Sequence, residues 1–250
     1  MDVRGRLIER LATPQMEARF AEPYFPRESV QELGCRPHEF WEAIWGLVAD
    51  GLVYLDPAGQ ERASTWDNWR WRLSARGIQA ATGGSWEPRD PERYLDRLTT
   101  RCPELDTAAV AYVREALHAF NARCYLASSV MLGVAAEQVF GRLASAFARA
   151  YETDAASLSK LLGNPSTTYY KRFQEFRKRL EPRRGDLPDG LADNLTLDAV
   201  ADLLRITRNN AGHPSGRTVD EDTAYTHLQM AARFLTKMTE LAAHFEATDG

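Results

Sequence analysis

Cysteine is scarce in this 250-residue chain, and its three copies, Cys35, Cys102 and Cys124, are odd in number and unclustered. Such a set builds neither a disulfide framework nor a zinc site; it reads as the reduced thiols of a cytosolic protein. Of the five histidines, His118, His227 and His244 fall on expected helices without a His or Cys at metal-ligand spacing. Neither a metal nor a cofactor is therefore expected. No stretch reaches ~18 apolar residues free of charge, and the opening Met1-Asp2-Val3-Arg4 has no apolar signal core. A membrane partner is not expected, and a cytoplasmic location is. The phosphate-binding Gly-Lys-Ser/Thr loop, the Gly-x-Gly-x-x-Gly turn and the Gly-x-Ser-x-Gly elbow are all missing. Lysine is absent from the first hundred residues, and the formal net charge is −4. There is thus no global basic field for nucleic acid, and any such contact must rest on a local patch.

What is present is an ordinary globular composition, 44% hydrophobic and 26% charged, long enough for one large or two small domains. Residues 1–84 read as a winged helix-turn-helix with a small β-hairpin. Leu7, Ile8 and Leu11 mark a helix face over Arg4 to Leu11. A second helix, Glu28 to Leu33, stops at Gly34. Pro37 opens a third, which runs to about Asp50 with Phe40, Trp41, Ile44, Trp45 and Val48 inside. Leu52-Val53-Tyr54-Leu55 and Trp69 to Leu73 are strands, joined through a turn at Pro57-Ala58-Gly59. A groove-reading helix presents Arg, Lys, Asn or Gln to the bases. The third helix offers instead Arg36, His38, Glu39, Glu42 and Asp50, and the wing sets Glu61 and Asp67 against Arg62. DNA binding is weakly supported, and a protein-interaction or dimerisation module is the better reading.

Residues 85–105 look like a Pro-rich, charged linker holding a short helix from Pro91 to Leu98, with Trp86, Tyr94 and Leu95 packing on a neighbouring domain. Residues 106–250 read as a helical bundle. Asp106 caps a helix whose buried face is Val110, Val113, Leu117 and Phe120. A long helix from about Arg123 to Tyr151 is apolar on most sides, as befits the centre of a bundle or a dimer interface. Glu137 is a lone acid within it, either a core-edge carboxylate or one that orients a catalytic cation. Asp154 to Leu162 is a short helix or turn. Tyr169 to Leu180 is amphipathic, with Phe173, Phe176 and Leu180 inward. Its other face opens a basic run. Lys171, Arg172, Arg177, Lys178, Arg179, Arg183 and Arg184 stand against Glu175 and Glu181, a local charge of +5 in an acidic protein. A charge run is usually a solvated face; this one is also the best candidate contact for an RNA backbone. Thr218-x-x-Glu221 has the form of a capping box for a last helix with the stripe Leu228, Ala231, Leu235, Met238, Leu241 and Phe245.

The chemistry gathers in Arg208-Asn209-Asn210-Ala211-Gly212-His213-Pro214. It closes a helix patterned from Leu197, because Gly212 suits a left-handed C′ position and Pro214 cannot extend a helix. His213 then lies in the turn, from which its ring can swing back toward the Arg208 guanidinium. Arg-Asn-x-x-x-His at a helix end, within a helical C-terminal unit, resembles the HEPN superfamily over roughly Asp106 to Phe245. Many HEPN proteins are metal-independent ribonucleases with this motif as active site, and others bind or scaffold without catalysis. The resemblance implies a homodimer that places two motifs across one cleft, an RNA substrate cut to a 2′,3′-cyclic phosphate, and a toxin-like or antiviral-defence role. The toxin branch that pairs with small nucleotidyltransferases carries a Tyr where this chain has Ser215, so that partner is not expected.

Cleavage without metal needs a base for the 2′-hydroxyl, a cation for the charge on the phosphorane and an acid for the leaving 5′-oxygen. His213 suits either proton role. Arg208 binds two phosphate oxygens through its planar fork. Asn209 positions phosphate or histidine, with Asn210 and Glu137 in support.

Overall fold

The computed structural model describes residues 3–12, 26–56, 71–83, 86–164, 166–188, 190–191, 197 and 218–248. The described fold is mainly α-helical with one two-stranded antiparallel sheet. The chain divides into two compact units, Met1–Tyr94 and Leu95–Gly250.

In the first unit α1 (Val3–Ala12), α2 (Pro26–Leu33) and α3 (Pro37–Ala49) are followed by β1 (Val53–Leu55), β2 (Trp71–Leu73) and α4 (Ala75–Thr82). Leu7, Ile8 and Leu11 meet Phe40, Ile44 and Leu47 in a core closed by Leu52, Val53 and Trp71. Burying each such side chain contributes about 1.5–3 kcal/mol. The sheet pairs Val53 with Leu73 and Leu55 with Trp71. Gly51, at φ +69°, takes the left-handed turn out of α3 that other residues disfavour. Gly77 lies so close to the Leu52 carbonyl oxygen that a Cβ would stand 2.0 Å from it, so α4 docks on β1 only with glycine there. Arg4 pairs with Asp50, Arg10 with Glu32 and Arg72 with Asp56, tying α1 to α3 and α2, and β2 to the end of β1.

One inward residue is corrected. Trp45, expected inside, is 48% exposed. The buried stripe of α3 is Phe40, Ala43, Ile44 and Leu47, and Trp45 is turned about 100° from Ile44. Its ring meets Trp71 edge-on at 5.4 Å. Residues 57–70, which hold the expected turn, the wing charges Glu61, Arg62 and Asp67, and Trp69, lie outside the described residues.

The stretch read as a linker contains α5 (Pro91–Arg101), which spans the division between the units. Asp90 caps it by accepting from the Arg93 amide. Glu87 and Arg89 form a buried pair at 3.0 Å, and Trp86 lies against Tyr94.

The second unit is built on α7 (Tyr125–Ala150), packed by α6 (Thr107–Asn121), α8 (Glu152–Gly163), α9 (Tyr169–Leu180) and α10 (Glu221–Thr248). That central place explains why α7 is apolar on most sides. By length and composition it alone, among the described residues, is apolar enough to span a membrane, and 56% of that window is buried in the bundle. Aromatic rings fill the core: Phe147 meets Phe176 and Phe245 edge-on at 5.2 and 5.3 Å. Arg142 staples the bundle. It donates to both carboxylate oxygens of Glu246 on α10 and to the Glu104 carbonyl.

The cap of α10 differs from the sequence expectation. Asp220, not Thr218, is its N-cap: its carboxylate accepts from the Thr223 amide at 2.8 Å, and α10 begins at Glu221. Bonds from Thr223 hold that carboxyl below its usual range. An aspartate next to the first helical residue serves the free amide better than a threonine two residues farther out.

Candidate nucleic-acid interface

Thr168 starts α9 by accepting from the Lys171 amide, and the hydrophobic spacing does the rest. Phe173, Phe176 and Leu180 are fully buried, with Phe173 and Phe176 edge-on to Phe140 at 5.4 and 5.7 Å. Once that side is fixed, the helical period assigns every other side chain of α9 to a sector.

One flank carries Arg172, Glu175 and Arg179, and its arginines are engaged within the protein. Arg172 donates to the Asn164 carbonyl at 2.8 Å and lies over the Tyr169 ring at 4.7 Å. Arg179 pairs with Glu175 at 2.9 Å and reaches Ser157 on α8. Beyond α9, in the short 3-10 turn Glu181–Asp186, Arg183 donates to the Arg179 carbonyl and lies over the Tyr151 ring at 4.3 Å. Arg184 bonds Glu181. Both acids of the basic run are thereby paired with arginines.

The outer sector carries Lys171, Gln174 and Lys178, and Arg177 sits on the other flank. Lys171 and Lys178 are exposed. Gln174, Arg177 and Lys178 line a shallow depression of about 590 Å³ with Glu181 and Pro182. Lys171, Arg177 and Lys178 bring three of the run's seven cations to this side of the helix. The sequence reading named all seven cations without separating these groups, and it missed Gln174 and Pro182. A helical wheel anchored on Phe173, Phe176 and Leu180 finds the glutamine.

Glu137 sits half-buried on α7. Burial pushes its carboxyl above the usual carboxylate range, and the Arg172 charge opposes the shift. The structure thus brings Glu137 and Arg172, two of the candidate site residues, within electrostatic reach of each other. Arg208, Asn209, Asn210 and His213 lie outside the described residues, and so does the Ser215 position.

His227 falls on a helix, as expected. It is half-buried on α10 and its Nδ1 shares a hydrogen bond of 3.0 Å with Ser129 of α7. Burial pushes its pKa below the ordinary imidazole value. His118 is exposed, and His244 sits edge-on beside Phe245. Among the described residues no group of His, Cys, Asp or Glu is placed to hold a metal ion.

Comparison with protein-family models, curated proteins and solved structures finds no match to the chain.

Proposed function

We propose that this protein is a metal-independent endoribonuclease of the HEPN type. The single observation that carries the proposal is the Arg208-Asn209-x-x-x-His213 motif, closed by Gly212 and Pro214 at the end of a patterned helix. The cationic outer face of α9 supports it by supplying a local attraction for a polyanion in a chain of net charge −4.

In this reading Arg208 holds the scissile phosphate and neutralises the charge that develops on it. His213 moves the proton at the 2′-hydroxyl or the leaving 5′-oxygen. Asn209 and Asn210 position the phosphate and the ring, and Glu137 helps to orient the cations. A homodimer places a second His213 across the cleft, so that one imidazole acts as base and the other as acid. The helix-helix-helix-strand-strand-helix order of the first unit is read as a winged helix. The biological setting is cytoplasmic, in a toxin-like or antiviral-defence role.

The products give the test. Cleavage by this route leaves a 2′,3′-cyclic phosphate and a free 5′-hydroxyl, so the 5′ fragments accept label from a polynucleotide kinase without phosphatase treatment. Fragments with 5′-phosphates contradict the proposal.

A second reading rests on α3, whose exposed stripe is His38, Glu42, Trp45 and Ala49. An exposed tryptophan beside an acid suits a protein partner better than a DNA groove. On this reading the protein is a regulator or scaffold that dimerises through its helical unit, without catalysis. A full-length chain that binds a protein partner through Trp45 and leaves RNA intact in every buffer supports it.

A further inference from the structure

We propose that the outer face of α9 is a track for single-stranded RNA, on which Tyr170 stacks a base while Lys171, Arg177 and Lys178 follow the phosphates. The inference rests on the nuclease reading above and names the form of RNA that reaches the site.

The sequence places two tyrosines, Tyr169 and Tyr170, directly before the basic run. The structure uses them differently. Tyr169 lies on the inner side, where the Arg172 guanidinium covers its ring. Tyr170 is half-buried, and among the described residues its ring makes no aromatic contact and its hydroxyl no hydrogen bond. At about 100° per residue, Tyr170, Gln174, Arg177, Lys178 and Lys171 fall within an arc of about 120°. An aromatic face, an amide and three cations thus share one side of one helix.

Among the described residues, Lys171 and Lys178 pair with no acid. Glu175 and Glu181, the two acids of the run, are held by Arg179 and Arg184. Lys171 and Lys178 stand about 10 Å apart along the axis. The depression between Gln174 and Pro182, at about 590 Å³, falls in the size range of small-ligand sites and has room for a nucleotide. Gln174 offers both a donor and an acceptor to a base edge there.

Cations alone attract any nucleic acid. An aromatic ring beside them that stacks on no other ring favours unpaired bases, because a duplex keeps its bases stacked on one another and out of reach. The combination therefore selects a single strand, with little preference for sequence.

The test uses full-length protein carrying His213→Ala, so that RNA survives the measurement. Fluorescence anisotropy compares a short single-stranded oligoadenylate with an RNA duplex of equal length. The expected result is tighter binding of the single strand. Tyr170→Ala weakens it about tenfold, within the range of a lost stacking contact, and Tyr170→Phe leaves it unchanged. Replacing both Lys171 and Lys178 with Ala lowers the salt dependence for the single strand by about 1.4 in log–log slope. Circular dichroism confirms that each variant keeps its helices. Equal binding of duplex and single strand, or a silent Tyr170→Ala, overturns the track; if the parent chain still cleaves RNA without metal, the nuclease reading stands. No binding of either RNA overturns the track and removes the support that α9 lends to that reading.

Discussion

α3 and α9 are helices of 13 and 12 residues that each bury one apolar stripe, yet their outer faces are chemical opposites. α3 shows His38, Glu42 and Trp45; α9 shows Lys171, Gln174 and Lys178. The buried stripes alone do not tell the two apart. What separates them is where the charges end up after the fold has used its share. On α3, Glu39 is bonded to Arg36, which holds its carboxyl down to about 2, and Glu42 remains on the exposed face. On α9 the acids are paired and two lysines stay outside. On this account a phosphate backbone favours the second face over the first.

The largest expected effect removes the framework behind the contrast. Phe173→Ala empties a fully buried site against Phe140, and costs about 3–5 kcal/mol in chemical denaturation. RNA affinity is then lost together with structure. A cleaner break leaves the core intact. Lys171→Glu with Lys178→Glu lowers RNA affinity by at least about tenfold at moderate salt, since two attractions become repulsions. Glu42→Gln on α3 changes RNA affinity by less than about twofold. Equal effects at the two helices erase the distinction.

Smaller still is a pH effect away from both faces. His227 is held below its ordinary pKa, so between that lowered value and about 6.5 the unfolded chain binds more protons than the folded one. This contribution to stability is therefore full above about pH 6.5 and falls as the pH drops through that window. His227→Gln flattens the profile there, as read by thermal unfolding from neutral to mildly acidic pH. The smallest effect sharpens the division within α9. Arg179→Ala lowers stability by about 0.5 kcal/mol through its lost pair with Glu175. It changes RNA affinity far less than the lysine pair does.

Periodic burial made most of the helices legible in the sequence. All six residues of the α10 stripe, from Leu228 to Phe245, are buried, as are Phe173, Phe176 and Leu180 on α9. A face that must leave water repeats with the helical period whatever it packs against. What depends on a distant partner could not be read this way. The side chain of Arg172 settles on the Asn164 carbonyl, Arg183 over Tyr151, and His227 against Ser129, 98 residues away in sequence. Trp45 was misplaced because aromatic size suggests burial, while the stripe of smaller residues around Ile44 already closes that core. For the candidate site, the basic run was legible as a charge count, and its division into engaged arginines and outward lysines was not. The Arg208 and His213 assignment still rests on the sequence pattern.

The most direct measurement is cleavage of a mixed RNA pool in EDTA by purified wild type and His213→Ala side by side. The account predicts metal-independent cleavage by the wild type, reduced at least about a hundredfold in the variant. Equal cleavage by both, or none by the wild type, contradicts it.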